Sequence, residues 1–326
     1  MDPTRPETIS FWSLDLRVRD PHPEAGDIRV TDANVNDLIT LAYMRWEWQA
    51  PRLYDLSPSR SGAPVVPVLD RVETPVAIGL SMIGDKDIVV RGDRIVFRNS
   101  GLEGTVEGGA SGRIMTEPVD GTENISLTAT VAGIVHDASK QARPLPSDST
   151  RVPVAAFQPF EETGTMLRLD TFASIQPLFY LEQAVGFVLL AEVFQSPEER
   201  RLVYTLRPVT DDGGVEAADA PPSIDSAQVK ATTPAFRLAD SGALHTIRAH
   251  QDGNLGAKQG GHRGYLEFWV NGLPLGVRLL SDARFRFRGG PAKLTIGAWP
   301  RRDETLYLTG EIVHINFDPI NKCTPC

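Results

Sequence analysis

LTIGAWPRRDETLYLTGEIVHINF, residues 294–317, is the stretch whose reading decides the fold. It divides into two apolar segments around a polar loop at 299–304. Along the second segment Val313, Ile315 and Phe317 alternate with Ile312, His314 and Asn316, a period of two that predicts a strand with the first row on a buried sheet face. Just upstream, YLEFWVNGLPLG at 265–276 carries Asn271-Gly272, a pair that tolerates the positive φ values of a two-residue hairpin turn. From about residue 76 onward the pattern repeats: DIVVRG, DRIVFRN, NISLTATVAGIV, GFVLLAEVF, RLVYTLRPV and LHTIRAH are short, rich in Val, Ile, Thr and aromatics, and bounded by Gly, Pro, Asp or Asn. Ten or more such strands without crossover helices predict an antiparallel sandwich or barrel. Gly and Pro together make 28 + 25 = 53 of 326 residues, about 16% against roughly 12% in an average protein, as many turns require.

The order LHTIRAHQDG, a Gly-rich loop, YLEFWVNGLPLG, LTIGAW and LYLTGEIVHINF resembles the concanavalin A-like lectin/glucanase jelly roll, in particular its laminin-G-like branch. The matching positions are Asn271-Gly272 with Gly276, then Leu294-Thr-Ile296-Gly297, then Leu308-Thr-Gly310-Glu-Ile312-Val-His-Ile315. Upstream, SGLEGTVEGGASG through NISLTATV is similar to the opening of the same domain, with Leu127-Thr-Ala-Thr-Val131 in place of a Trp-bearing strand. The resemblance implies an all-β, antiparallel two-sheet jelly-roll sandwich over about 76–319, followed by a tail at 320–326.

Residues 1–75 are outside that resemblance. Eight prolines break them into short pieces, which predicts an irregular N-terminal attachment arm or small subdomain that packs on another chain or against the jelly roll and builds no core of its own. Within it, TDANVNDLITLAYMRWEWQ at 31–49 reads as a helix passing into a strand, with Asp32 or Asn34 as the cap. Cys323 and Cys326 close the chain, where no helix can follow to activate a C-x-x-C thiol; a tail with free thiols or a disulfide is expected.

The formal charge of −9 argues against nucleic acid, whose phosphates need a Lys/Arg surplus. The longest uncharged apolar run, Ala184 to Ala191, is far below the ~20 residues of a membrane span. The opening MDPTRPETIS has neither the basic nor the apolar region of a secretory signal. Glycosidases on this fold carry paired carboxylates in an E-x-D-x-x-E run, which does not occur, nor do H-E-x-x-H or G-x-S-x-G. The expectation is therefore a protein that is not an enzyme.

Candidate binding residues come from two late loops. Trp299, with Arg301 and Asp303 beside it, has the make-up of a sugar-stacking site; the plainer alternative is a Trp covering the core edge. His245, His250 and His262, with Asp252 and Asn254, cluster along one hairpin at 245–262; His250 and His262 flanking the loop would meet Asp252 as a mixed set for a divalent metal, and the plainer alternative, which is favoured, is a solvated loop. Asp252, Asn254 and Asp303 are the residues the family resemblance would offer to calcium; no other cofactor and no metal centre is expected. Arg91-Gly92-Asp93 is read as a turn between strands, and Phe285 to Arg288 as a half-buried strand. Together these features predict a structural or adhesion protein with a lectin-like domain, carried on a bacteriophage virion as a head-decoration, fibre or tail component. It would dock other virion or surface chains through residues 1–75, form a homo-oligomer and meet surface glycan. The alternative is an extracellular or cell-surface bacterial protein, polysaccharide-binding or a degenerate glycanase.

Overall fold

A computed structural model describes residues 7–21, 23, 26–50, 72–106, 125–134, 143–144, 151–153, 166–168, 172–182, 185–195, 200–210, 231–232, 236–237, 244–252, 265–274, 292–301 and 304–318. In chain order the elements are β1 (Glu7–Val18), β2 (Ile28–Arg29), α1 (Val35–Leu38), β3 (Ile39–Ala50), β4 (Val72–Ile78), β5 (Leu80–Arg91), β6 (Arg94–Val106) and β7 (Ile125–Ala132). There follow β8 (Arg143–Pro144), β9 (Arg151–Pro153), β10 (Met166–Arg168), β11 (Phe172–Glu182), β12 (Val185–Gln195), β13 (Arg200–Thr210), β14 (Ala231–Thr232) and β15 (Phe236–Arg237). The last are β16 (His245–Asp252), β17 (Tyr265–Val270), β18 (Leu273–Pro274), β19 (Ala292–Ile296), β20 (Ala298–Pro300) and β21 (Thr305–Asp318).

Every pairing among the described strands is antiparallel; β9 and β10 form a small sheet of their own, and the longer strands form two layers. The front layer runs β4-β3-β1-β21-β7-β16-β17-β18. The back layer runs β2-β5-β6-β19-β11-β12-β13. This is the all-β antiparallel sandwich that strand spacing and turn chemistry predict. Between the layers the rings of Phe179 and Phe187, from β11 and β12, pack on Phe317 of β21 with centroids 6.2 and 5.5 Å away. One polar contact also crosses the interior: the Tyr204 hydroxyl of β13 and Nδ1 of His245 on β16 are 2.7 Å apart, with the rings edge to face. Burial pushes the Tyr204 hydroxyl pKa far above its ordinary value, so it stays protonated.

β21 belongs to both layers. Leu308–Ile312 pair with β6 of the back layer, while Leu14–Arg17 of β1 pair with residues 314–317. At the crossing, Ile312 faces Val131 and His314 faces Thr130, so Val313 is the extra residue of a bulge. One extra residue reverses the alternation. Ile312 is therefore buried along with Ile315 and Phe317, and Val313, expected on the core face, is half-buried.

The N-terminal region joins the sandwich through regular strands where an irregular segment was expected. β1 is hydrogen-bonded between β3 and β21, and Leu14, Leu16, Val18, Val30, Val35, Ile39 and Leu41 belong to the same core as the rest. β1 and β3 are thus interior strands of the front layer, while β2 pairs with β5 of the back layer. The prolines misled because all eight, at 3, 6, 21, 23, 51, 58, 64 and 67, fall outside β1 and β3, leaving both strands uninterrupted. The helix-then-strand reading holds: α1 is one turn leading directly into β3. Asn34 does not cap it through its side chain; its Oδ1 accepts the Thr31 N–H at 2.7 Å and its amide donates to the Arg29 carbonyl.

Two turns depend on left-handed backbone. Asn271 and Gly272, at φ 52° and 77°, make the hairpin turn read from sequence. Gly297, at φ 70°, breaks β19 from β20, and a Cβ there would lie 3.1 Å from both the Phe97 ring and the Ser100 carbonyl oxygen. Gly297→Ala is therefore expected to lower stability by at least about 1–2 kcal/mol, the cost of left-handed backbone for a residue with a Cβ. Tyr204→Phe, which deletes the cross-layer hydrogen bond to a buried imidazole, should cost about 1–3 kcal/mol. Urea unfolding of each variant measures both; wild-type midpoints would contradict the packing described.

Candidate functional site

The sequence candidates do not converge. Trp299 on β20 is only 1% exposed, packed on the outer side of the back layer against Tyr180, Val188, Leu190 and Leu306. It therefore offers no stacking face to a sugar: Gly297 turns β20 over β11, and the Arg301 guanidinium carbon lies 5.3 Å from the ring centroid. Arg301 closes the β20–β21 hairpin, donating its N–H to the Glu304 carbonyl at 2.8 Å and pairing with the Glu304 carboxylate. His245, expected among loop histidines, is 5% exposed in the core. It has the same strand parity as the buried Ile247 and Ala249, which sets it apart from a loop.

His250 and Asp252 are placed by backbone alone, opposite Glu267 and Tyr265 on β17. Asn254, His262 and Asp303 lie outside the described residues, as do Phe285 to Arg288. Register also parts the two late loops. His250 pairs with Ser126, and Ser126 with Asp318, whereas the 301–304 turn precedes Thr305 at the other end of β21. Thirteen residues of strand, roughly 40 Å along the chain, lie between them. Among the described residues no three His, Cys, Asp or Glu side chains are grouped to hold a metal. Arg91-Gly92-Asp93 is the β5–β6 turn, with Arg91 donating twice to Asp27 at 2.8 Å.

The two outer faces of the sandwich differ. The back one carries the apolar cluster around Trp299. The front one is polar, because in β7 and β16 Leu127, Ala129, Val131, Ile247 and Ala249 face the core and leave Thr128, Thr130, Thr246 and Arg248 outside. Register aligns these into rows across the strands. One row runs Trp269, Arg248, Thr128, Asn316, Asp15; the next runs Thr246, Thr130, His314, Arg17.

Contacts within the rows fix several of these groups. The Arg248 guanidinium carbon lies 5.2 Å from the Trp269 ring centroid, and the Thr130 and Thr246 hydroxyls are 3.1 Å apart. Asn316 donates its amide to the Leu14 carbonyl. His314 Nε2–H donates to Asp15 Oδ1 at 2.9 Å, and Arg17 Nε is 3.4 Å from Oδ2. The His314 hydrogen bond, opposed by partial burial and reinforced by Arg17, holds the Asp15 carboxyl below the usual carboxylate range. Sequence reasoning passed over this face because its parts lie far apart in the chain: 299 residues separate Asp15 from His314. The available signal was the alternation of Thr and Arg with apolar residues in NISLTATV and LHTIRAH.

No protein-family model and no curated protein matches the chain. Among solved structures, the carbohydrate recognition domain of Emp47p is similar at 14% identity over 73% of this chain and 87% of that one, with a TM-score of 0.31. Alginate lyase Aly36B, as a mutant in complex with alginate tetrasaccharide, is similar at 9% identity over 96% of this chain and 95% of that one, TM-score 0.28. Likenesses of this size carry no argument about fold or ligand, which rest here on the chain's own pairing and side chains.

The Asp15 pairing has a pH signature. Since the folded carboxyl lies below its unfolded value of about 3.9, its contribution is fully present above that pH and is lost as pH falls through the folded value. Wild type should exceed Asp15→Asn in stability by under about 1 kcal/mol near neutrality, a partly exposed pair being screened by water. That gap should close on acidification below pH ~4. Urea unfolding of both proteins across this range measures it, and a gap that widens in acid would contradict the assignment.

Proposed function

We propose that the protein recognises carbohydrate without cleaving it, holding an extended glycan across the strands of the front layer. The observation that carries this reading is the row Trp269, Arg248, Thr128, Asn316, Asp15, one residue from each of five neighbouring strands. Strands spaced ~4.8 Å apart make such a row about 19 Å long, the reach of a chain and more than a single sugar ring needs. Its chemistry suits a sugar polymer: an indole at one end for an apolar ring face, then guanidinium, hydroxyl and amide groups for the hydroxyls.

The non-catalytic half of the proposal rests on the carboxylates. Retaining glycosidases need two about 5–5.5 Å apart. On this face Asp15 has both oxygens engaged, and Glu267 and Asp318 are placed by register alone, in the row through His250 and Ser126. A place on a virion or cell exterior accords with glycan recognition. Of the grounds for a bacteriophage placement, the Pro-broken N-terminal segment carries no weight now that β1 and β3 pair inside the front layer.

Affinity electrophoresis of the whole protein through gels of soluble β-glucans, agars, carrageenans and pectins tests the proposal. Retardation is expected in at least one gel, and Trp269→Ala should weaken it by about 1–2 kcal/mol, roughly 5- to 30-fold. Mobility unchanged in every gel would overturn the reading. Prolonged incubation with the same polymers should release no reducing ends; their release, abolished by a single Asp or Glu substitution, would overturn the non-catalytic half.

A further inference from the structure

Five arginines with described side chains are spent on carboxylates. Arg17 meets Asp15, Arg91 meets Asp27, Arg94 meets Glu311, Arg98 meets Asp87 and Arg301 meets Glu304, at 2.8 to 3.5 Å. Arg248 departs from that pattern. It is exposed, stands mid-face between Thr128 of β7 and Trp269 of β17, and its side chain has no ion pair or hydrogen bond to any described residue. Its one described contact is the Trp269 ring, with the guanidinium carbon 5.2 Å from the centroid.

Stacking of this kind holds a guanidinium in place while leaving its in-plane N–H donors outward, a fork that matches a carboxylate or sulfate. Preorganisation lowers the side-chain entropy lost on binding. The neighbouring Thr128 and Thr246 side chains add hydroxyl donors. By register Glu267 of β17 shares the parity of Trp269 and stands opposite His250, one strand from Arg248, while Asp15 stands three strands away, about 14 Å, and is already held by His314 and Arg17.

We infer that Arg248, stacked on Trp269, is an oxyanion subsite, so that the glycan taken by the front layer is an acidic one whose carboxylate or sulfate ester docks on Arg248. This rests on the proposal that the face binds glycan and adds the ligand's charge to it.

Matched polymers test the addition. Binding of the whole protein is measured to polygalacturonate against its methyl ester, and to dextran sulfate against dextran, at low and high salt. The subsite predicts at least a tenfold preference for one charged member over its neutral partner, and the polymer preferred separates carboxylate from sulfate. Arg248→Gln should remove that preference, Arg248→Lys should restore it only in part because the fork is lost, and the thermal midpoint of both variants should stay at the wild-type value. High salt should erode the preference. Charged and neutral partners bound equally, or a preference that survives Arg248→Gln, would overturn the oxyanion subsite while leaving glycan recognition standing. Failure to bind any of these or the earlier polymers would overturn both.

Discussion

One strand of fourteen residues, β21, hydrogen-bonds to both layers of the sandwich, and the rest of the architecture is arranged around that sharing. A strand can serve two sheets only if its side-chain alternation is reset where it crosses, since one parity would otherwise bring its apolar row to the wrong side. The bulge at Val313 does this, placing Leu308 and Ile312 inward before the crossing and Ile315 and Phe317 inward after it. Phe317 then meets Phe179 and Phe187 from the opposite layer, so the final strand also closes the core.

The same crossing builds the candidate site. By carrying His314 and Asn316 between β1 and β7, β21 joins residues from the start of the chain to residues from its middle, and the Asp15–His314 hydrogen bond ties the two ends together on the open face. The layers divide the work. The back one turns an apolar outer surface toward Trp299, whereas the front one keeps a row of hydroxyl, amide and guanidinium groups at strand spacing. A rigid sheet suits recognition because its backbone fixes these distances before a ligand arrives.

What could be read from the sequence was local. The strands at 294–317, the Asn271-Gly272 turn and the passage from α1 to β3 all follow from periodicity and turn chemistry, which act over a few residues. The pairing of β1 with β21 could not be read in this way, because nothing in ETISFWSLDLRV names a partner three hundred residues on. For Trp299 the sequence left a sugar-stacking face and a cover over the core edge both open, because Pro300, Arg301 and Arg302 lend it a polar neighbourhood; its burial, which decides for the cover, depends on the left-handed Gly297 that folds β20 back. Arg248 and Trp269 were passed over for a different reason. Each looks like ordinary strand filler until register sets them side by side.

The account places the ligand on the front layer and denies it to the β20–β21 hairpin, and the five tryptophans of the chain report on that choice. An NMR titration of the indole N–H signals, assigned by substitution, with a polysaccharide the protein retains, should shift the Trp269 signal progressively while the Trp299 signal stays in place. A shift at Trp299 with Trp269 unmoved would contradict it.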